Sequence, residues 1–198
     1  MGLFSEKVVL GLPNSHITYY PGFFSAEEAH ILFNLLKKKV QWQQDEITLF
    51  GKTHPQPRLT ALYGNNGKSY SYSNITMHPH KFTPELLQIK SAVEQEVGDV
   101  FTTCLLNYYR DGKDSNGWHA DDERELGKNP TIASISLGAE RHFHLRHKED
   151  KTPKHKILLE HGSMLLMQGE TQHYWQHQIA KTSKKIGERI NLTFRIIN

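Results

Sequence analysis

Arg189-Ile190-Asn191-Leu192-Thr193-Phe194-Arg195 alternates polar and apolar side chains without a slip. A period of two marks a β-strand, in which successive side chains point to opposite faces. One face carries Arg189, Asn191, Thr193 and Arg195, and the other Ile190, Leu192 and Phe194. The apolar face needs a core to cover it. The polar face has an arginine at each end with an amide and a hydroxyl between them. A guanidinium is a planar fork that matches a carboxylate, so this face suits a ligand with an acid at each end. A solvent-exposed edge strand is the plainer alternative, but such edges favour lysine over this set.

Working outward, short β-rich runs occur at 101–109, 131–137, 142–147, 156–160, 163–167 and 189–197, divided by Gly, Pro, Asn and Asp. Many short strands with turn signals predict an antiparallel sandwich or barrel. Two helices precede them. Ser25-Ala26-Glu27-Glu28 is a capping box, and the helix it starts runs to about Lys39 with Leu32, Leu35 and Leu36 buried. Thr83-Pro84-Glu85 starts the second, with a proline at the first helical position. Its core face is Leu86, Ile89, Val93 and Val97, and Gly98 ends it. The expected fold is α+β: a double-stranded β-helix, or jelly-roll, core with the helices packed on one sheet.

A chain of 198 residues without repeat or linker is expected to form a single domain, 1–198. Its 37% hydrophobic and 23% charged content is that of a soluble globular protein. No apolar run approaches bilayer length, so no membrane partner is expected. The N-terminus lacks a secretory pattern, and Glu6 breaks the myristoylation motif. The single cysteine, Cys104, cannot form an internal disulfide and lies in an apolar run, so a buried small hydrophobe is expected. A reducing compartment, cytoplasm or nucleus, follows as the expectation. The net charge of +3 is compatible with nucleic acid without pointing to it.

His119-Ala120-Asp121 places an imidazole and a carboxylate two residues apart, so on an extended segment both reach one ion. Two histidines and one carboxylate on one side of an octahedral ion leave three positions open, as non-haem Fe(II) oxygenases require. His161, His173 and His177 are the candidates for the third ligand. If 173–177 is extended, His173 and His177 lie about 13 Å apart and only one can bind; spacing does not choose between them. His147-Lys148-Glu149 has the same spacing as the first pair, but in the charge run 146–151 it reads as a solvated turn. His142-Phe143-His144 has the spacing of a cupin-type site, yet no matching glutamate and distal histidine follow.

Taken in order, several segments together resemble the AlkB family of Fe(II)- and 2-oxoglutarate-dependent dioxygenases, which remove alkyl groups from nucleobases. They are Asn107-Tyr108-Tyr109-Arg110-Asp111-Gly112, His119-Ala120-Asp121-Asp122-Glu123, Ile132-Ala133-Ser134-Ile135-Ser136-Leu137-Gly138, His177 and Arg189-x-Asn191-x-Thr193-x-Arg195. The likeness is strongest to the branch that repairs alkylated DNA, duplex DNA included. It implies Fe(II) held by His119, Asp121 and His177, with 2-oxoglutarate as cosubstrate and O2 as oxidant. It implies that Arg189 takes the far carboxylate of 2-oxoglutarate and that Arg195 sits near the metal end. Asn107, Tyr109, Asn191 and Thr193 would complete that pocket. Residues 1–100 would form an N-terminal helical extension and nucleotide-recognition lid, and 101–198 the jelly-roll core.

The reaction implied is oxidative demethylation of 1-methyladenine or 3-methylcytosine in DNA, releasing formaldehyde and succinate. A base in a duplex must first flip out of the stack. Leu49-Phe50-Gly51 before Lys52 resembles an apolar tip that wedges into the gap, and Arg58 resembles an arginine that steadies the opened duplex. Tyr70 and Tyr72 offer stacking faces, with Tyr72 opposite His119 across the base. Asp122 and Glu123 could accept from an exocyclic amine. Arg141, Arg146, Lys148, Lys151, Lys154 and the run 181–185 are candidate phosphate contacts. The expected partner is alkylated DNA, with RNA as an alternative, and the expected state is a monomer. The alternatives are the same chemistry on single-stranded RNA, or a non-enzymatic nucleic-acid-binding protein with a vestigial metal site. A missing ligand or arginine would mark the latter, and none is missing.

Overall fold

The computed structural model describes residues 6–49, 51–72, 75–150 and 154–197. The first part of the chain forms β1 (Val8–Leu10), β2 (His16–Tyr20), α1 (Ala26–Lys39), β3 (Glu46–Leu49), β4 (Lys52–Pro55), β5 (Leu59–Gly64), β6 (Tyr70–Tyr72), β7 (Ile75–Met77) and α2 (Pro84–Val97). Then follow β8 (Thr103–Tyr109), β9 (Asn116–His119), β10 (Ile132–Gly138), β11 (Arg141–His147), β12 (Lys154–Leu159), β13 (Met164–Gln168), α3 (Thr171–Tyr174), β14 (Trp175–Ile179) and β15 (Arg189–Arg195). A seven-stranded sheet runs in the order β1-β2-β13-β10-β15-β8-β5, and a four-stranded sheet in the order β12-β11-β14-β9. All their pairings are antiparallel. Two packed sheets with helices against one of them are the jelly-roll arrangement expected.

The alternation at 189–195 decides what each side of the larger sheet does. β15 lies inside that sheet between β10 and β8, and every residue of it is buried. Ile190, Leu192 and Phe194 join Leu32 and Leu36 of α1 and Leu86, Ile89 and Val93 of α2 in one core cluster. Each such buried side chain contributes about 1.5–3 kcal/mol. The opposite side faces the smaller sheet. There Leu105, Leu145, Ile157, Met167, Trp175 and Ile179 form a second core. The polar residues of β15 open into a cavity beside it.

Both helices begin as their sequences require. Ser25 accepts from the Glu28 amide while the Glu28 carboxylate accepts from the Ser25 amide, completing the capping box. Thr83 caps α2 ahead of Pro84, and Gly98 closes it with φ +84°, a left-handed value that glycine adopts without penalty.

Three expectations change. The extension over residues 1–100 is not mainly helical: β1, β2 and β5 belong to the larger sheet, and β3–β4 and β6–β7 form two-stranded sheets. β5, Leu-Thr-Ala-Leu-Tyr-Gly, is buried at nearly every position, so it has no alternation to read. His147 is not in a solvated turn. It ends β11, is 8% exposed, and stacks on Tyr174 at 5.7 Å. His173 and His177 are not on one extended segment, because His173 lies in α3 and His177 on β14.

Gly138, at the end of β10, has φ +90°, and a Cβ there would lie 2.4 Å from the Glu188 carbonyl oxygen and 2.8 Å from the Phe33 ring. Backbone strain and overpacking then add, so Gly138→Ala should destabilise the fold by about 2 kcal/mol or more. A fall in the urea midpoint with an unchanged slope is the expected reading; an unmoved midpoint would contradict it.

Candidate metal centre and its cavity

β9 and β14 pair so that His119 stands opposite His177. Their rings meet edge to face with centroids 4.2 Å apart. Asp121 lies two residues past the end of β9. His119, Asp121 and His177 present ligand atoms that all lie within 4.8 Å of one another. The three residues named for the metal therefore converge, and the structure brings in His177 rather than His173 or His161. His173 is exposed beside Asn129, and His161 Nδ1 accepts from the Gly138 amide.

Neighbouring groups hold each ligand. Phe143 stacks on His177 at 4.9 Å. His119 Nδ1 lies 2.7 Å from the Gly117 carbonyl. That contact needs the proton on Nδ1 and makes Nε2, which lies 3.2 Å from Asn116 Nδ2, the nitrogen that an ion would take over. The Asp121 amide donates to Gln172 Oε1 at 2.9 Å, and Asp121 Oδ1 accepts from Arg195 Nη2 at 2.8 Å.

The electrostatics set the protonation that a metal requires. Burial pushes His177 down to about 3, and His119 beside it adds to the fall. Burial also lowers His119. Burial alone would raise the Asp121 carboxyl, but Arg195, His177 and His119 outweigh it and hold it at about 2. Two neutral imidazoles and one carboxylate, open on one side to a cavity, form a donor set that fits an octahedral Fe(II).

The cavity has a volume of about 650 Å³. Asn107, Tyr109, Arg189, Asn191, Thr193 and Arg195, the six residues named for the cosubstrate, all line it. Arg189 is 1% exposed and donates through Nη2 to Ser136 Oγ at 2.9 Å, while its Nε and Nη1 have no partner among the described residues. Its guanidinium lies 5.2 Å from the Tyr109 ring centroid. Burial lowers its pKa to about 10. A buried cation with unsatisfied donors calls for an anion, and a 2-oxoglutarate carboxylate supplies one. Asn191 has a bracing role: its Nδ2 donates to Ser134 Oγ at 2.8 Å and to the Ile135 carbonyl at 3.0 Å, and its Oδ1 accepts from Thr193 Oγ1. Ser134, Ser136, Gln172 and Phe143 were given no role in the site from the sequence. The two serines did carry a signal, since they alternate with apolar residues along β10 as the polar residues of β15 do.

The residues named for substrate are scattered. Phe50 and Lys151 lie outside the described residues. Gly51, with φ +75°, forms the tip between β3 and β4, and Lys52 is exposed beside it. Tyr70 and Tyr72 end β6, which pairs with β7, and their side chains lie outside what is described. Glu123 lines the cavity. Asp122 does not; it is exposed and pairs with Lys148 at 2.8 Å.

Arg141 corrects the expectation placed on it as a phosphate contact, since it is buried, and Arg58, named for steadying an opened duplex, is buried in the cavity wall. Arg58 is 6% exposed and lines the cavity, and Arg141 is 3% exposed and donates to the carbonyls of Asp111, Asp114 and Ala180. Arg146 is half-buried, forked onto Gln176 Oε1 and packed 4.3 Å from the Trp118 ring centroid. Lys154, Lys181, Lys184 and Lys185 are exposed.

Residues 16–195 match the family described as the 2OG-Fe(II) oxygenase superfamily. The chain is 43% identical to Alpha-ketoglutarate-dependent dioxygenase alkB homolog 3 of Rattus norvegicus over 192 residues, 92% of this chain and 64% of that protein. It is 38% identical to DNA oxidative demethylase ALKBH2 of Homo sapiens over 188 residues, 90% of this chain and 72% of that protein. It thus spans a little under two thirds of the first relative. In fold, a solved structure described as that of OsALKBH1 superposes with a TM-score of 0.67 at 17% identity, covering 96% of this chain and 100% of that one.

Proposed function

The chain belongs to the 2OG-Fe(II) oxygenase superfamily, among relatives of the AlkB type, and from that premise we propose that it demethylates N-alkylated bases in DNA. Fe(II), 2-oxoglutarate and O2 are the family's reagents. When bound, the iron supplies oxygen activation coupled to oxidative decarboxylation of 2-oxoglutarate to succinate and CO2, and so the oxidant for an N-methyl carbon that leaves as formaldehyde. His119, Asp121 and His177 would hold it.

The observation that carries this reading is one cavity holding both the His-Asp-His group and the Arg189 guanidinium with two N–H edges unsatisfied among the described residues. The protein supplies geometry and a water-poor site. Arg189 binds and orients the far carboxylate. Arg195 fixes the Asp121 carboxylate, and Gln172 and Phe143 keep Asp121 and His177 in place. Glu123, on the cavity wall, is the carboxylate positioned to accept from an exocyclic amine, whereas Asp122 is taken up by Lys148. Two features support a nucleic-acid substrate. The exposed strand β4 has Lys52 beside the tip of the β3–β4 hairpin, and relatives named DNA oxidative demethylase align along most of the chain.

The test is incubation with Fe(II), 2-oxoglutarate and oligonucleotides carrying 1-methyladenine, as single-stranded DNA, duplex DNA and RNA. Formaldehyde and unmodified adenine should appear in equal amounts from DNA. Turnover confined to RNA would move the reading to an RNA demethylase. No repaired base from any of the three would overturn it.

A further inference from the structure

Arg58 is the feature that neither the metal centre nor the cosubstrate clamp uses. It lies just before β5, is 6% exposed, and reaches into the cavity wall. No carboxylate among the described residues pairs with it. Its Nε donates to Asn107 Oδ1 at 2.7 Å, and its Nη1 donates to the Ser115 carbonyl at 3.3 Å. Asn107 is 4% exposed and lines the same cavity from β8, directly opposite Asn191 of β15.

A guanidinium has donors only. Whatever faces Arg58 Nε must therefore be an acceptor, and of the two ends of the Asn107 amide only Oδ1 qualifies. The chemistry of the contact fixes the amide orientation, which geometry alone would leave open. With Oδ1 held by Arg58, Nδ2 and its two N–H groups are turned away from that arginine. An amide in the reverse orientation would set an NH2 against a cation and turn an oxygen toward an incoming carboxylate.

We infer that Arg58 is a positioning residue for 2-oxoglutarate: by holding Oδ1 of Asn107 it sets the amide so that Nδ2 donates to the cosubstrate. This rests on the reading of the cavity as a 2-oxoglutarate site. It gives the arginine next to the β3–β4 hairpin a task that needs no nucleic acid.

The test is the dissociation constant of 2-oxoglutarate for protein loaded with Mn(II), without nucleic acid, followed by tryptophan fluorescence or calorimetry. The orientation of one amide hydrogen bond is at stake, so Arg58→Ala should weaken binding by roughly up to tenfold. Arg58→Lys, which keeps a donor, should recover part of the loss. In an Asn107→Ala background the Arg58→Ala change should have almost no further effect, because the arginine acts through that amide. An unchanged constant in Arg58→Ala overturns the inference. So does an undiminished effect in the double variant, which marks a general structural loss. Failure of the wild-type protein to bind 2-oxoglutarate overturns both the inference and the function it rests on.

Discussion

Asp121→Ala is expected to abolish formaldehyde release from a methylated oligonucleotide and, separately, to destabilise the metal-free protein. The first effect follows from the donor set. Asp121 is the only carboxylate in the group with His119 and His177. Changes to groups that merely support metal ligands cost about 10–100-fold, so removal of a ligand should cost more than 100-fold. Because Arg195, His177 and His119 hold Asp121 at about 2, the wild-type carboxylate is already ionised at neutral pH and binds without first losing a proton. The second effect comes from Arg195, whose Nη2 would lose its carboxylate in a site where both side chains are at most 6% exposed. Removing one partner of a buried ion pair costs about 3–5 kcal/mol. Asp121→Asn keeps the shape and an acceptor for Arg195, so it should lose turnover with a smaller fall in the urea midpoint. Turnover near the wild-type rate in either variant would remove Asp121 from the metal centre.

How much of this was legible depended on whether a local pattern carried the information. The period of two at 189–195 gave the strand, its core face and its ligand face, because one side of that strand is apolar core and the other a polar cavity. The helices were legible at both ends because Ser25, Thr83 and Gly98 act within one turn of chain. β5 was not, because Thr60, Ala61, Leu62 and Tyr63 are all buried and one-sided periodicity never develops. The choice between His173 and His177 was not legible from spacing either. His173 sits in the helical turn Thr171–Tyr174 and faces solvent, while His177 lies on the following strand and faces the metal group. The burial of Arg58 was not legible either, because its guanidinium is held by Asn107, 49 residues away, which no local pattern reports.

Arg189→Met is expected to move binding and stability in opposite directions. In the wild-type protein the Arg189 guanidinium is fully buried, with one bond to Ser136 Oγ and two donor edges unmet among the described residues. Burial lowers its pKa from the ordinary guanidinium range to about 10. A basic group whose folded pKa is depressed destabilises the fold wherever it is charged in both states. At neutral pH the whole penalty applies, on the order of 3 kcal/mol for a shift of this size. Methionine fills similar space without a charge, so the ligand-free variant should be as stable as the wild type or more so, as replacements of buried charges by apolar residues often are. Binding should fall sharply. A charge-assisted contact to the far carboxylate is lost, and truncating one partner of such a pair costs about 2–5 kcal/mol, roughly 30-fold to several-thousand-fold in affinity for 2-oxoglutarate. The two measurements are the urea midpoint of the ligand-free protein and the 2-oxoglutarate constant with Mn(II). A variant that loses stability and keeps its affinity would show that Arg189 is a structural residue; one that keeps stability and loses affinity identifies it as the anion receptor of the cavity.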